Sequence, residues 1–211
     1  SFGIEFPNED MTAIPALSST YESNVPGMYV IGALGGYPLI KQAMNQGYEV
    51  VEYIVGNDVK PADHGLLEDK FRSLPFSMDV DEILAMAQER IPVFSGVNAL
   101  QFRELMLDST VIAPSESDII FAKNDYTNTF FTVLEGEIKI EINEDLTITS
   151  GIGSFFGEMS LISGRRRSAT IRAGKNCVVI ETPRRTMNKL IASVDAVKRV
   201  LDETFIVRTI Q

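Results

Sequence analysis

Cysteine and histidine are almost absent from this sequence of 211 residues, which contains one of each, Cys177 and His64. A single cysteine excludes an intramolecular disulfide and a cysteine-rich metal site. A single histidine excludes most zinc sites and most catalytic arrangements built on histidine. Cys177 lies in the apolar run CVVIET and is predicted to be a buried core thiol. This cysteine usage fits a reducing compartment, so we expect a cytoplasmic protein.

Long hydrophobic runs and a surplus of basic residues are also lacking. No apolar stretch approaches the ~18–20 residues that cross a bilayer, and residues 1–10 lack the pattern of a signal peptide. The sequence holds 29 acidic residues against 19 Lys and Arg, a net charge of −10 that repels polyanions. We therefore expect neither a membrane nor a nucleic acid as partner. Because the sequence begins at Ser1, we expect it to be part of a longer protein.

The first 78 residues predict a short β–α unit and a linker. The apolar residues 28–31 predict a buried strand, and the glycines that follow predict a turn. An apolar stripe over residues 39–55 predicts a helix, with Pro38 in its first turn. Residues 57–78 are rich in Gly, Pro and Asp, which is typical of a linker with at most one short helix. The predicted domains are therefore 1–56 and 79–211, joined by the linker 57–78.

Residues 79–211 predict one α+β domain. Two helices open it, DVDEILAMAQERI starting at Asp79 and NALQFRELMLDS capped by Asn98. After Ser109 the hydrophobic period becomes two, and short strands separated by turns predict an antiparallel sandwich or roll. The predicted strands are TVIAPS, DIIFAK, TFFTVLEG, EIKIEIN, DLTITSG and NCVVIET. Pro183 opens a last helical segment with an apolar stripe that must pack on the roll or on a partner. The stripe consists of Val194, Val197, Leu201 and Phe205.

The segment GSFFGEMSLISGRRRSATIRAGKN interrupts the strands and carries the strongest local signal. A turn at Gly157 and Glu158 into a short helix leaves backbone N–H groups free for a phosphate. Arg167 adds a fixed cation, and Ser168 adds a hydroxyl and its own N–H. Glu158 accepts hydrogen bonds only when ionised, so it suits a sugar hydroxyl rather than a phosphate. A ligand with a phosphate at one end and a ribose hydroxyl at the other fits both groups.

Within that segment, FGEMSLISGRRRSATIRA resembles the phosphate-binding cassette of cyclic-nucleotide-binding domains, which occur in kinase regulatory subunits, gated channels and bacterial activators. Upstream, IPVFSGVNALQFREL resembles the N-terminal helices of the family and DIIFAKNDYTNTFFTVLEGEIKI its early strands, so the resemblance covers about residues 90–211. Asn124 replaces the glycine that is usual before the Asp of that turn. The resemblance implies a jelly-roll-like β-roll with flanking N- and C-terminal helices.

The same resemblance implies a cyclic nucleotide ligand, cAMP or cGMP. It implies that Glu158 binds the ribose 2′-hydroxyl, and that Arg167 and Ser168 bind the cyclic phosphate together with the backbone of Ala169. It also implies that Gly157 and Met159 supply the backbone of the cassette and the wall of the binding site. The predicted ligand-binding residues are Phe156, Gly157, Glu158, Met159, Ser160, Arg167, Ser168 and Ala169. No catalytic or metal-binding residue is predicted.

A second resemblance covers about residues 10–56. The stretch VPGMYVIGALGGYPLIKQAMNQGYEVVEYI is similar to the last FAD-contacting segment of pyridine-nucleotide-disulfide-type flavoprotein oxidoreductases. This implies the tail of an oxidoreductase domain that binds FAD only in the full-length protein. Ala33 stands where that family usually has Asp, no G-x-G-x-x-G follows a strand, and C-x-x-C is absent. This chain alone is therefore not expected to hold FAD or to be an enzyme.

The sequence thus predicts a regulatory module that binds cAMP or cGMP and controls an attached FAD-dependent oxidoreductase. One alternative is a ligand-free structural or dimerisation domain with the same fold. A flavoenzyme would give a yellow preparation, and an activator of transcription would need a helix-turn-helix after the last helix. The sequence ends at Gln211 without that motif. The choice among cyclic nucleotides stays open, and so does a homodimer formed through the Val194–Phe205 stripe.

Overall fold

The computed structural model describes residues 2–6, 9–36 and 40–210. They form two compact units. The first comprises Ser1–Leu67 with Asn98–Glu104, and the second comprises Glu68–Val97 with Leu105–Gln211. The predicted domain boundaries at residues 56 and 78 stay a prediction.

The first unit contains the predicted helix but not the predicted strand. Helix α1 spans Ile40–Ile54, whereas the predicted Pro38 and Leu39 lie outside the described residues. At residues 28–31 the chain forms one isolated bridge, between Tyr29 and Glu22, and then turns through a 3-10 segment at Gly32–Gly35. A strand needs a neighbour to satisfy its backbone, and the described part of this unit offers only that one bridge. The β–α prediction is therefore wrong in its strand.

Helices lead into the second unit. Helix α2 spans His64–Phe71, α3 Val80–Arg90 and α4 Ala99–Asp108. Asp79 and Glu82 form a reciprocal capping box at the start of α3, as the sequence predicts. The ammonium of Lys70 donates to the carbonyl oxygens of Met106, at 3.0 Å, of Leu107 and of Ser109, at 2.6 Å. The carbonyls of Met106 and Leu107 lie in the last turn of α4, where they have no partner within the helix.

The roll consists of two antiparallel sheets within the described residues, ordered β1-β8-β3-β6 and β2-β7-β4-β5. The strands are β1 Thr110–Ile112, β2 Ile119–Phe121, β3 Phe130–Glu135, β4 Glu137–Asn143, β5 Leu146–Gly151, β6 Phe155–Phe156, β7 Thr170–Ala173 and β8 Val178–Thr182. The predicted antiparallel roll is confirmed. Strands β6 and β7 were not predicted, because both lie inside the segment whose pattern indicated an interruption of the strands.

The core of the roll lies between the sheets and includes Phe131, Phe156, Ile171 and Cys177. The rings of Phe131 and Phe156 are stacked with centroids 5.1 Å apart. Cys177 is buried, as predicted, and this burial raises the pKa of its thiol. Phe156, the first predicted site residue, therefore anchors the cassette in the core.

Two helices follow the roll, α6 at Arg184–Ser193 and α7 at Asp195–Ile210. The sequence predicted one helical segment, but Val194 takes an extended backbone, with φ −132° and ψ 98°, and separates the two. In the predicted stripe, Val197 and Leu201 are almost fully buried. The stripe is therefore covered largely by its own unit. No helix among the described residues is long and apolar enough to cross a membrane.

Candidate functional site

The candidate site begins where β6 turns into the short helix α5, Glu158–Ser163. Gly157 makes this turn in the left-handed conformation, with φ +91°. A Cβ at this position would lie 2.5 Å from Nη1 of Arg167 and 2.8 Å from the carbonyl oxygen of Thr129. Glycine is required here both by its backbone conformation and by this close approach. The turn thereby places Glu158 directly after a residue whose carbonyl accepts a hydrogen bond from Arg167.

Glu158 is the most unusual side chain of the site, because its carboxylate is buried and only half satisfied. The residue is 1% exposed. Its Oε1 lies 2.8 Å from Nη1 of Arg208, whereas its Oε2 is buried without a hydrogen-bond partner among the described residues. A buried carboxylate oxygen without a donor is costly. This oxygen marks a position where a ligand donor would be stabilising.

Arg167 is 3% exposed and directs its guanidinium into the protein. Its Nε donates to Thr127 Oγ1 at 2.8 Å, and its Nη1 donates to Ser160 Oγ at 2.8 Å and to the Gly157 carbonyl at 3.3 Å. Its Nη2 donates to the Thr129 carbonyl at 2.8 Å and to Thr129 Oγ1 at 3.3 Å. A guanidinium has five N–H donors, so every donor of Arg167 has a partner in this structure.

The charge of Arg167 is held in a poorly hydrated place. Its guanidinium carbon lies 4.1 Å from the centroid of the Phe121 ring. Burial lowers the pKa of Arg167 to about 10, while the carboxylates of Glu181, Glu158 and Asp125 act in the opposite direction. The side chain is still cationic at neutral pH. The site therefore contains a fixed positive charge beside the buried carboxylate.

The segment after α5 lies closer to solvent. Ser168 is exposed and Ala169 is buried. The guanidinium of Arg166 stacks 3.8 Å over the ring of Tyr126 and donates to the carbonyl of Asn124 at 3.0 Å. Asn124 has φ +73°, a left-handed conformation that asparagine tolerates better than most residues. The departure from glycine noted in the sequence is thus accommodated.

The structure brings together the predicted residues Gly157, Glu158, Ser160 and Arg167, with Met159 half-buried beside them and Phe156 beneath. Among the residues that contact them, Thr127, Thr129 and Arg208 were not predicted. The two threonines are spaced by two just before β3, a weak signal that their hydroxyls share one side. Arg208 belongs to no motif that the sequence would reveal.

Comparisons with known proteins concern the family and the fold of the roll that contains this site. The family model described as "Cyclic nucleotide-binding domain" matches residues 115–194. A putative potassium channel protein from Rhodopseudomonas palustris is 24% identical over 117 residues, 54% of this chain and 28% of that protein. The cAMP-dependent protein kinase regulatory subunit of Schizosaccharomyces pombe is 24% identical over 106 residues, 50% of this chain and 26% of that protein. The chain thus spans about a quarter of the length of each of these relatives.

The fold is also found among solved structures. The regulatory domain of PKA from Toxoplasma gondii, solved with cAMP, superposes with a TM-score of 0.51 at 18% identity, over 59% of this chain and 48% of that one. This similarity concerns the fold. Residues 115–194 therefore match the family model of the cyclic nucleotide-binding domain, and the antiparallel roll that contains them has the same fold as a solved kinase regulatory domain.

Proposed function

We propose that the second unit binds a cyclic nucleotide, cAMP or cGMP, and acts as a regulatory module. The observation that carries the proposal is the carboxylate of Glu158, which is 1% exposed and has one oxygen without a hydrogen-bond partner among the described residues. A ribose 2′-hydroxyl is a neutral donor that would satisfy this oxygen without adding charge. The family match over residues 115–194 supports the same ligand class.

The phosphate end of the ligand would meet Arg167, Ser168 and the backbone of Ala169. Ser168 is exposed, so its hydroxyl is accessible. Arg167 uses all its donors within the protein, and a phosphate would have to replace oxygens of Thr127 or Thr129. Arg167 would gain from this exchange, because a hydrogen bond from a guanidinium to an anionic oxygen is stronger than one to a neutral oxygen.

Isothermal titration of the chain with cAMP and cGMP tests the proposal, with 2′-deoxy-cAMP and AMP as matched controls. We expect one cyclic nucleotide per chain. Loss of the 2′-hydroxyl should weaken binding roughly ten- to 150-fold, since a hydrogen bond to a charged group contributes about 1.5–3 kcal/mol. AMP should bind weakly, because its phosphate is not cyclic. A flat trace with both cyclic nucleotides up to about 1 mM, a concentration equivalent to about −4 kcal/mol, would contradict the proposal.

A second candidate is a ligand-free structural or dimerisation domain. Two observations favour it: the donors of Arg167 are all used within the protein, and Oε1 of Glu158 is already paired with Arg208. In that case neither cyclic nucleotide would change the melting temperature, and sedimentation would report the same oligomeric state with and without nucleotide. A homodimer, if formed, would then be independent of ligand.

We further propose that the whole protein includes an FAD-dependent oxidoreductase that this module controls, in the cytoplasm. The support is the resemblance of residues 10–56, together with an exposed apolar face on α1. Its residues Ile40, Met44 and Val51 are 80%, 70% and 58% exposed. A further domain would bury that face. FAD would be held by that domain, since this sequence lacks a dinucleotide-binding glycine motif. The expected result is absorbance near ~450 nm in the purified full-length protein and none in the 211-residue chain alone.

A further inference from the structure

The last turns of α7 are fastened to the candidate site by one side chain. Nη1 of Arg208 lies 2.8 Å from Oε1 of Glu158. Nη2 of the same residue donates to the carbonyl oxygen of Phe155 at 3.1 Å, and its guanidinium lies 5.3 Å over the Phe155 ring. Arg208 therefore ties α7 to both β6 and the start of α5. Phe155 and Arg208 are 53 residues apart in the chain.

The two partners of this ion pair differ in their exposure to water. The Arg208 side chain is 37% exposed, whereas that of Glu158 is 1% exposed. A partly hydrated guanidinium loses little when it is released into water. A buried carboxylate, in contrast, needs a cation or donor beside it. If Arg208 left, the cation of Arg167 would stay near Glu158, because its Nη1 donates to the carbonyl of the preceding residue, Gly157, at 3.3 Å.

The unpartnered oxygen of Glu158 is also closed to solvent. Arg208 thus occupies Oε1 of the carboxylate. A ligand hydroxyl cannot reach Oε2 while the surrounding side chains stay in place. From these observations we infer that Arg208 is an internal competitor of the ligand: the end of α7 closes the site through the Arg208–Glu158 pair, and a ribose hydroxyl binds Glu158 after that pair opens. This inference rests on the proposed function, because it names what regulates the same site.

Competition of this kind lowers the measured affinity by the fraction of molecules in the open state. Weakening the closed state therefore strengthens binding, whereas a residue that contacts the ligand would weaken binding when it is replaced. The two roles of Arg208 predict opposite signs for the same substitution. The ligand in turn shifts the equilibrium of α7 towards the open state by the ratio of its affinities for the open and closed states.

Titration of the full chain with cAMP and cGMP, comparing the original protein with Arg208→Gln, measures this sign. Arg199→Gln is the matched control, since Arg199 is an exposed arginine on the same helix and its replacement changes the net charge equally. We expect Arg208→Gln to lower Kd about two- to tenfold, and Arg199→Gln to leave it unchanged. Arg208→Lys keeps the charge, so its Kd should lie between that of the original protein and that of Arg208→Gln. Melting curves establish that each variant is folded.

Three results would overturn the inference, and they separate it from the proposed function. If the original chain binds and Arg208→Gln binds equally or more weakly, the pair does not compete with the ligand, while the proposed function stands. If Arg199→Gln tightens binding as much as Arg208→Gln, the effect is one of net charge rather than of this ion pair. If none of the proteins binds either nucleotide, the proposed function fails and the competition fails with it.

Discussion

The guanidinium carbon of Arg167 lies 4.1 Å from the centroid of the Phe121 ring, in the core of the roll. This stacking fixes one face of the cation, and the hydrogen bonds to Thr127 and Thr129 fix its edge. Arg167 is therefore a structural element of the domain as well as a proposed phosphate contact. Replacing it should affect both stability and binding, and the two effects need separate measurements.

Arg167→Ala should lower the free energy of unfolding by about 2–4 kcal/mol. The substitution removes a buried cation and leaves the carbonyl of Thr129 and the hydroxyl of Ser160 without their donor. For a chain of this size the melting temperature should fall by roughly 5–15 °C. Arg165→Ala is the control, because Arg165 is exposed in the same segment, and its change should stay within about 0.5 kcal/mol. Equal melting temperatures for the two variants would contradict the structural role of Arg167.

Glu158→Ala should weaken cyclic nucleotide binding less than Arg167→Ala does. A sugar hydroxyl that loses the carboxylate of Glu158 has water as an alternative acceptor, whereas the phosphate has no second fixed, buried cation among the described residues of the cassette. We expect Arg167→Ala to raise Kd about ten- to a few-hundredfold, since a charge-assisted bond contributes roughly 1.5–3 kcal/mol. Titration of both variants below their melting temperatures provides the comparison. Equal losses would contradict this order.

The sequence predicted most of the elements that carry the site, and the reasons are local. Asp79 with Glu82 forms the cap that the spacing indicates. In β4, Ile138 and Ile140, two residues apart, face the core: Ile138 is buried in it and Ile140 packs against it. Strand β7 alternates in burial, but it has only four residues, Thr170–Ala173, and was missed because it lies within the segment interpreted as an interruption of the strands. Its pairing with β2 and β4 is a tertiary effect.

The composition of the site was predictable only within the cassette. Gly157, Glu158 and Arg167 lie within one motif. The partners that determine their state come from elsewhere: Thr127 is 40 residues from Arg167 in the chain, and Arg208 comes from the last helix. Contacts over such distances depend on how the roll closes, which no local pattern encodes. The sequence therefore indicated where a ligand would bind, but not that the cation and the carboxylate already have protein partners.

Cys177 should react slowly with thiol reagents in the folded protein. The residue is 3% exposed, and burial raises the pKa of its thiol. Reagents therefore reach it slowly, and little of it is in the reactive thiolate form.

The raised pKa of the Cys177 thiol should also make the stability of the protein depend on pH. The unfolded thiol ionises near pH ~8.5, below the folded pKa, so the unfolded state binds fewer protons and stability falls as pH rises above ~8.5. Denaturant titrations at pH ~7 and pH ~9.5 measure the free energy of unfolding of the original protein and of the control, Cys177→Ala. The free energy of unfolding should fall more between these two pH values in the original protein than in Cys177→Ala.

Residues 1–56 should be dispensable for nucleotide binding, because every proposed contact lies in the second unit. The shortened chain should retain Lys70, whose ammonium holds the carbonyls of Met106 and Ser109. We expect a chain that begins at residue 57 to bind cAMP or cGMP within about threefold of the original, a difference of less than about 1 kcal/mol. A chain that begins at Asp79 should melt at a lower temperature. A folded chain from residue 57 that has lost its affinity would show that residues 1–56 contribute to binding.

The end of α7 should lose protection from hydrogen exchange when ligand binds. Arg208 joins this helix to Glu158 and to the carbonyl of Phe155, whereas Val197 and Leu201 are buried nearer its start. The residues just before Arg208, at positions 206 and 207, are exposed, so apolar packing contributes less there. Opening the ion pair should therefore release the last turns and leave the first turns in place.

Hydrogen exchange over residues 195–210, with and without saturating cyclic nucleotide, measures this difference. We expect faster exchange after about residue 203 and unchanged exchange around Val197, because local opening is governed by local burial. In Arg208→Gln the last turns should already exchange quickly without ligand, and cyclic nucleotide should add little. Unchanged protection in the original protein at a nucleotide concentration that titration shows to be saturating would mean that the domain binds its ligand without moving this helix.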